Sequence, residues 1–185
     1  MRAYPASQTA SVLAEPSEVM PAAPGDAGFR DAMSNVAVSV ALITTLTEAG
    51  APSGLTVSSV ASHSDQPPTV SFNVARTSRS YDAIMNAETL GVHLLAAGQG
   101  KVAEVFSSRA TDKFAAVDWD LEGGVPRIRG ALVFLHCGTA AVFRHGDHSI
   151  VLAEVRHAHL GQGVPLLYSR RSFAWRLTGP GNGEP

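Results

Sequence analysis

Two hydroxyl-rich runs and a basic segment behind them have residue types suited to binding a phosphorylated ligand. Six residues carry these groups: Thr56, Ser58, Ser59, Ser78, Arg79 and Ser80. Hydroxyls and a guanidinium donate hydrogen bonds to phosphate oxygens and to uncharged ring edges. Because Ser80 lies at the expected start of a helix, unpaired backbone N–H groups would also attract a phosphate. The segment 54–84 therefore predicts a site for a phosphorylated cofactor.

The same residues have a purely structural explanation. Serine and threonine on an outward strand face are ordinarily solvated, and Ser80 could do no more than cap its helix. Residue statistics alone favour this explanation. The two standard nucleotide motifs, Gly-x-Gly-x-x-Gly after a strand and Gly-x-x-x-x-Gly-Lys-Ser/Thr, do not occur, so they contribute nothing to the phosphate hypothesis.

Histidine and cysteine give weaker indications of chemistry. His145 and His148 flank a predicted turn and His157 and His159 alternate on a predicted strand, without a cysteine or carboxylate at the spacing of a metal site, so no metal is expected. Cys137, the only cysteine, lies in an apolar run and is expected to be a buried hydrophobic residue rather than a nucleophile. The Gly-x-Ser-x-Gly elbow of hydrolases does not occur, so hydrolase chemistry is not indicated.

Composition excludes several classes of partner. The formal net charge is -2 and charged residues make up 16%, so no basic field exists to attract nucleic acid or anionic lipid. The most apolar stretch, 36–46, is interrupted by polar residues and is shorter than the ~20 residues of a membrane helix. A single cysteine fits a reducing compartment. We therefore expect a cytoplasmic protein without a membrane or nucleic-acid partner.

The remaining patterns predict strands with a few short helices. Helices are expected over 26–35, 81–86 and 99–108. Strands are expected over 36–46, 55–60, 69–75, 90–96, 131–144, 148–160 and 168–177, with one hairpin turn at 48–54 and a second at Gly146. We expect a flexible lead-in at 1–25, one domain at 26–178 and a tail at 179–185. This mainly β pattern favours an antiparallel barrel with short helices.

Seven short motifs occur in a fixed order along the chain. They are Phe29-Arg-Asp-Ala-Met, Val40-Ala-Leu-Ile-Thr-Thr, Gly54-Leu-Thr-Val-Ser-Ser, Pro67-Pro-Thr-Val, Ser78-Arg-Ser, Gly146-Asp-His and Pro165-Leu-Leu-Tyr-Ser-Arg. An ordered set is far more specific than any one of its members. In this set the sequence resembles the short-chain flavin reductases. It departs from their usual pattern at four positions, Ala37, Ser39, Val60 and His93.

The resemblance implies a role for each of the six residues above and adds four more. Thr56, Ser58 and Ser59 would contact the isoalloxazine and ribityl region, and Ser78, Arg79 and Ser80 would hold the phosphate. The added residues are Phe106 as a wall, Asp147 as a support, Arg170 at the pocket edge and His148. His148 is the implied catalytic residue, because the family places this histidine where it can orient a nicotinamide.

The resemblance also implies the fold and the activity. The expected fold is a split antiparallel β-barrel of the flavin reductase-like FMN-binding type, assembled as a homodimer. The expected function is an NAD(P)H-dependent flavin reductase, which reduces FMN or FAD with NADH or NADPH and supplies reduced flavin to a partner monooxygenase. Two alternatives stay open: a flavin-binding electron carrier or storage protein without nicotinamide turnover, and a non-flavin barrel that acts as an interaction module.

Overall fold

A computed structural model describes residues 26–175 of the chain. The expected lead-in at 1–25, the tail at 179–185 and the last residues of the predicted strand 168–177 lie outside this range. The chain divides into two compact units, 1–33 and 34–185. Helix α1 (Asp26–Ser34) spans the boundary between the two ranges and confirms the predicted helix over 26–35. Within the described range, no helix is long and apolar enough to cross a membrane.

The second unit is built mainly from antiparallel strands. They are β1 (Val38–Ser39), β2 (Ala41–Leu46), β3 (Pro52–Val57), β4 (Ala61–Asp65), β5 (Pro68–Ala75), β6 (Thr89–Leu94), β7 (Trp119–Glu122), β8 (Val125–Ile128), β9 (Val133–His145), β10 (His148–Leu160), β11 (Leu167–Ser169) and β12 (Ser172–Trp175). The second unit also contains helices α2 (Tyr81–Met85) and α3 (Gly100–Ser107), with a 3-10 turn before α3 at Ala97–Gln99 and another after it at Phe114–Ala116. The predicted class, mainly β with short helices, is confirmed.

Seven strands form one sheet in the order β3-β2-β6-β9-β10-β5-β4. Its two edge strands, β3 and β4, follow each other in the chain and are joined by residues 58–60, yet no ladder between them is present among the described residues. The sheet still curls around one core, because Leu55 of β3 packs in the same cluster as Phe72 and Val74 of β5. This arrangement is the expected split barrel.

Strand β2 is buried on both faces, which explains its continuous apolar run. Ala41 and Ile43 point into the barrel core. Val40 and Leu42 belong to a second cluster that includes Phe106 of α3. Full burial of a side chain the size of leucine contributes about 1.5–3 kcal/mol, so β2 ties the barrel to the elements outside it.

Two predicted strands are each divided in the structure. The strand predicted over 36–46 breaks at Val40, whose N–H donates to the carbonyl of Leu166, so that β1 pairs with β11 while β2 pairs with β3 and β6. The strand predicted over 168–177 turns at Arg170 and Arg171, which adopt positive φ values of 48° and 61°. The prediction of one continuous strand was wrong in both places.

Three strands were not predicted. Strand β4 is a largely exposed polar edge strand, and β7 and β8 form a separate two-stranded ribbon. The ribbon turns at Gly123 and Gly124, with φ values of 59° and 82°, a conformation that glycine adopts without a steric cost. The hairpin of β9 and β10 confirms its prediction, with Gly146 at φ 57° in the turn.

Candidate functional site

The tip of the β9–β10 hairpin is hydrogen-bonded to the segment that contains Arg79 and Ser80. The N–H of Arg76 donates to the carbonyl of Asp147 at 2.9 Å. His148 lies opposite Ala75 in the β10–β5 ladder. The sequence signals Ser78-Arg-Ser and Gly146-Asp-His are therefore neighbours in space, although about seventy residues separate them in the chain.

Ser80 ties this segment to β3. Its hydroxyl is buried and donates to the carbonyl of Gly54 at 2.8 Å. The hydroxyl of Ser78 accepts the N–H of Ser80 at 3.3 Å. The predicted side-chain cap of Ser80 on α2 was wrong, because the hydroxyl is used in this long-range bond instead. Helix α2 has only five residues, so its N-terminus is too short to contribute a phosphate site.

A cleft of about 290 Å³ opens beside this bond. One wall is formed by residues 52–54 together with Arg79 and Ser80, and the other by residues 110–114. Gly54 is closely packed at this point: a Cβ there would lie 2.8 Å from the carbonyl oxygen of Ile43 and 3.0 Å from the ring of Phe106. The backbone of β3 at Gly54 therefore packs directly against Ile43 and Phe106, and no larger side chain fits there.

Two cations line the cleft. The guanidinium of Arg79 donates to the carbonyls of Arg109 and, at 3.2 Å, Ala110. The ammonium of Lys113 donates to the carbonyl of Phe106 at 2.7 Å. Partial burial, with a smaller contribution from the nearby charge of Arg79, lowers the pKa of Lys113. The cleft is therefore electropositive and partly desolvated.

The predicted ring-contacting residues lie at the end of β3. The hydroxyl of Thr56 donates to the carbonyl of Ala103 at 2.9 Å, and the hydroxyl of Ser59 accepts the N–H of Asn73 at 2.9 Å. Ser58 is exposed. Phe106 is only 1% exposed and packs edge-to-face on Phe114, so its ring lies beneath the cleft rather than on its surface.

Asp147 and His148 are exposed at the hairpin tip. Nδ1 of His148 lies 2.8 Å from Oδ1 of Asp147, and 48% of the histidine side chain is accessible. Neither residue lines the Arg79 cleft. Arg170 is exposed in the turn between β11 and β12, on a separate three-stranded sheet, and the structure does not bring it to the cleft.

Two other residues considered in the sequence, His93 and Cys137, are buried in the structure. The buried ring of His93 accepts the N–H of Ile128 on Nε2 at 3.1 Å, which leaves Nδ1 to donate to the carbonyl of Leu42 at 3.3 Å. Burial lowers the pKa of His93 to about 4. Burial raises the pKa of the Cys137 thiol to about 12, so the thiol is a buried hydrophobic group, as expected.

Comparison with known families decides the identity of the fold. Residues 33–175 match the family model described as the flavin reductase like domain. The chain belongs to the flavin reductase-like family. This membership agrees with the split barrel and with the ordered motifs.

Members of the flavin reductase-like family provide close comparisons. An NADH:riboflavin 5'-phosphate oxidoreductase of Streptomyces pristinaespiralis is 38% identical over 80% of this chain and 87% of its own length. The NADH:FAD oxidoreductase SgcE6 of Streptomyces globisporus, solved with NAD and FAD fragments, has a TM-score of 0.77 and 30% identity over 84% of this chain and 94% of its own. The styrene monooxygenase flavin reductase of Pseudomonas putida has a TM-score of 0.72 and 28% identity over 78% and 94%.

Some residues of this flavin reductase-like site were not found from the sequence. Lys113 and the hydroxyls of Ser53 and Thr111 all line the cleft, and Tyr81 bonds to the hairpin strand. Lys113 belongs to no motif, and its one weak signal was a basic charge shortly after a predicted helix. The others required knowledge of which segments meet.

Proposed function

We propose that this protein is an NAD(P)H:flavin oxidoreductase that transfers hydride from NADH or NADPH to FMN or FAD. The observation that carries the proposal is the hydrogen bond from Arg76 N–H to the carbonyl of Asp147. It holds the hairpin tip, with the predicted nicotinamide residue His148, against the segment with the predicted phosphate residues. The NADH:riboflavin 5'-phosphate and NADH:FAD oxidoreductase activities named for two relatives support the same function.

The residues around the cleft fit a phosphorylated flavin. Arg79 supplies a guanidinium, which binds phosphate through charge-assisted hydrogen bonds. Gly54 and Thr56 are alternate residues of β3 and share the side that packs against α3, where the hydroxyl of Thr56 donates to the carbonyl of Ala103. A flavin with its phosphate at Arg79 would then extend along β3 toward the hydroxyls of Ser58 and Ser59, where we place the ribityl chain and ring.

The chemistry asked of this chain is mainly positioning. When bound, a flavin supplies the ring atom that accepts hydride. The protein needs to hold the nicotinamide at near-contact distance and to exclude other geometries, and no strong acid or base is required for that. We propose that His148 orients the nicotinamide and that Asp147 supports the imidazole, since its Oδ1 lies 2.8 Å from Nδ1 of His148. Hydroxyls such as Ser58 would stabilise negative charge on the reduced ring.

We also propose that the protein is a homodimer and passes reduced flavin to a separate monooxygenase. Phe143 and Ile150 support the dimer, because they lie opposite each other in the β9–β10 ladder while 55% and 41% exposed. A second copy would cover this apolar pair, and the flavin-reductase subunit of styrene monooxygenase offers a parallel for the oxygenase partner. The predicted role of Arg170 stays a prediction. Light scattering at several protein concentrations tests the dimer.

The activity is tested by mixing the purified full chain with FMN or FAD and with NADH or NADPH, and by following nicotinamide oxidation. We expect turnover with at least one of these four pairs. Absence of turnover with all four would reject the proposed function. Stoichiometric retention of flavin, combined with reduction only by a protein partner, would instead identify an electron carrier.

A further inference from the structure

We propose that Lys113 is a second phosphate ligand beside Arg79, and that this pair of cations makes the protein select phosphorylated flavins over riboflavin. The proposal rests on the proposed flavin reductase function and adds to it a residue that determines specificity. No motif in the sequence pointed to Lys113, and it enters the site through the loop that follows α3.

The two cations reach the cleft from segments that are far apart in sequence. Arg79 precedes α2, whereas Lys113 precedes the 3-10 turn Phe114–Ala116. Each is fixed by a backbone carbonyl: Arg79 by Ala110 at 3.2 Å and Lys113 by Phe106 at 2.7 Å. The side chains are therefore preorganised, which reduces the conformational entropy that a ligand must overcome.

The positive charge of the cleft is only partly balanced by the protein. Among residues 26–175, no salt bridge joins Arg79 or Lys113 to a carboxylate. Asp112 also lines the cleft and its Oδ1 accepts the N–H of Ala115 at 3.0 Å, so one carboxylate stands against the two cations and the lining keeps a net positive charge. The positive charge of Arg79 contributes to lowering the pKa of Lys113, so the two like charges oppose each other. A phosphate dianion between them would relieve this repulsion.

Enough donors remain for a phosphate. An ammonium has three N–H donors, and the structure uses one of those of Lys113. The hydroxyls of Ser53 and Thr111 line the same cleft and carry no side-chain hydrogen bond within the described part of the chain. Two cations and two hydroxyls around a small cleft form the donor set that a phosphate group requires. Riboflavin, which ends in a hydroxyl, gains little from either charge.

The test compares FMN with riboflavin by quenching of flavin fluorescence on the purified full chain. We expect Lys113→Ala and Lys113→Met to weaken FMN binding by about tenfold or more while riboflavin affinity stays unchanged. Lys113→Arg should retain most of the FMN affinity because it keeps the charge. Lys101→Ala, at an exposed position of α3, is the matched control and should change neither affinity. Raised ionic strength should reduce the FMN preference of the unaltered protein.

Three results would overturn the proposal. In the first, Lys113→Met leaves FMN affinity unchanged; in the second, FMN and riboflavin lose affinity equally, which would indicate a general effect on the loop. In the third, the unaltered protein reduces riboflavin and FMN with NADH but binds them equally well, so that the reductase function stands and the phosphate site fails. Absence of any flavin reduction would reject the function and this inference together.

Discussion

The hydroxyl groups of Tyr81 and Ser149 lie 2.7 Å apart and join α2 to the strand that begins with His148. Ser149 is fully buried, so water does not compete for this bond. Together with the bond between Arg76 and Asp147, it connects the region of Arg76 and α2 to the hairpin tip and the start of β10 at two points. The position of His148 relative to Arg79 is therefore supported by these hydrogen bonds as well as by the packing of β5, α2 and β10 in the barrel core.

Replacing Tyr81 by Phe should destabilise the fold and lower turnover. The buried hydroxyl of Ser149 would lose its partner, which costs about 1–3 kcal/mol in the free energy of unfolding. Urea denaturation measures this loss, and steady-state kinetics measures the turnover. The double variant Tyr81→Phe with Ser149→Ala should recover part of the stability, because it removes both polar groups. Full additivity of the two changes would contradict the bond.

Arg79→Ala should weaken FMN binding by about tenfold or more and riboflavin binding much less, because it removes a charge aimed at the phosphate. Titration calorimetry with both flavins measures the difference. Arg144→Ala, at an exposed position on β9, serves as the control. Equal losses for the two flavins would mean that Arg79 acts only by holding the carbonyls of Arg109 and Ala110.

His148→Ala should lower turnover about tenfold and leave flavin affinity nearly unchanged, because the imidazole is assigned to the nicotinamide and not to the phosphate cleft. The Michaelis constant for the nicotinamide should rise as well. His145→Ala is a close control, since His145 is also exposed and lies directly opposite His148 in the ladder. If the two variants behave alike, the role assigned to His148 is wrong.

His93 should make stability depend on pH. Burial lowers its pKa from 6.5 to about 4 in the folded protein, so the unfolded chain binds a proton on this ring at a higher pH than the folded chain does. The stabilising effect is fully present above pH 6.5 and is lost as the pH falls toward 4. The loss amounts to about 3 kcal/mol in the free energy of unfolding.

Denaturation midpoints measured across this pH range test the effect. His93→Asn removes the titrating ring and should flatten the profile, whereas His63→Asn, at an exposed position of β4, should leave the slope unchanged. A slope that is the same in all three proteins would show that His93 is not its source.

Strands with an apolar period were predictable, and those without one were not. In β5, buried Phe72 and Val74 alternate with more exposed residues, and the sequence pattern follows this geometry directly. Strand β4 has almost no apolar residue to bury, because it is an exposed edge. The turn at Arg170 and Arg171 was hidden because arginine seldom adopts positive φ, and only the neighbouring strands hold it there.

The site was predictable only as separate pieces. Local chemistry identified Arg79 and His148, but the hydrogen bond that commits Ser80 to Gly54 links residues twenty-six positions apart. Residue type alone could not distinguish that bond from a helix cap. Lys113 belongs to the same cleft only because α3 returns its loop to β3, a tertiary contact that leaves no mark in a short motif.

Residues 58–60 connect the two margins at which the sheet stays open. Ser58 and Ser59 belong to this link, so the hydroxyls proposed to meet the ring lie on the span whose length determines the aperture. We expect a longer connection to let β3 and β4 separate and admit a larger ligand, and a shorter connection to draw the two strands together. We therefore expect the length of this three-residue link to limit the size of the ligand that this protein admits, with the core left unaltered.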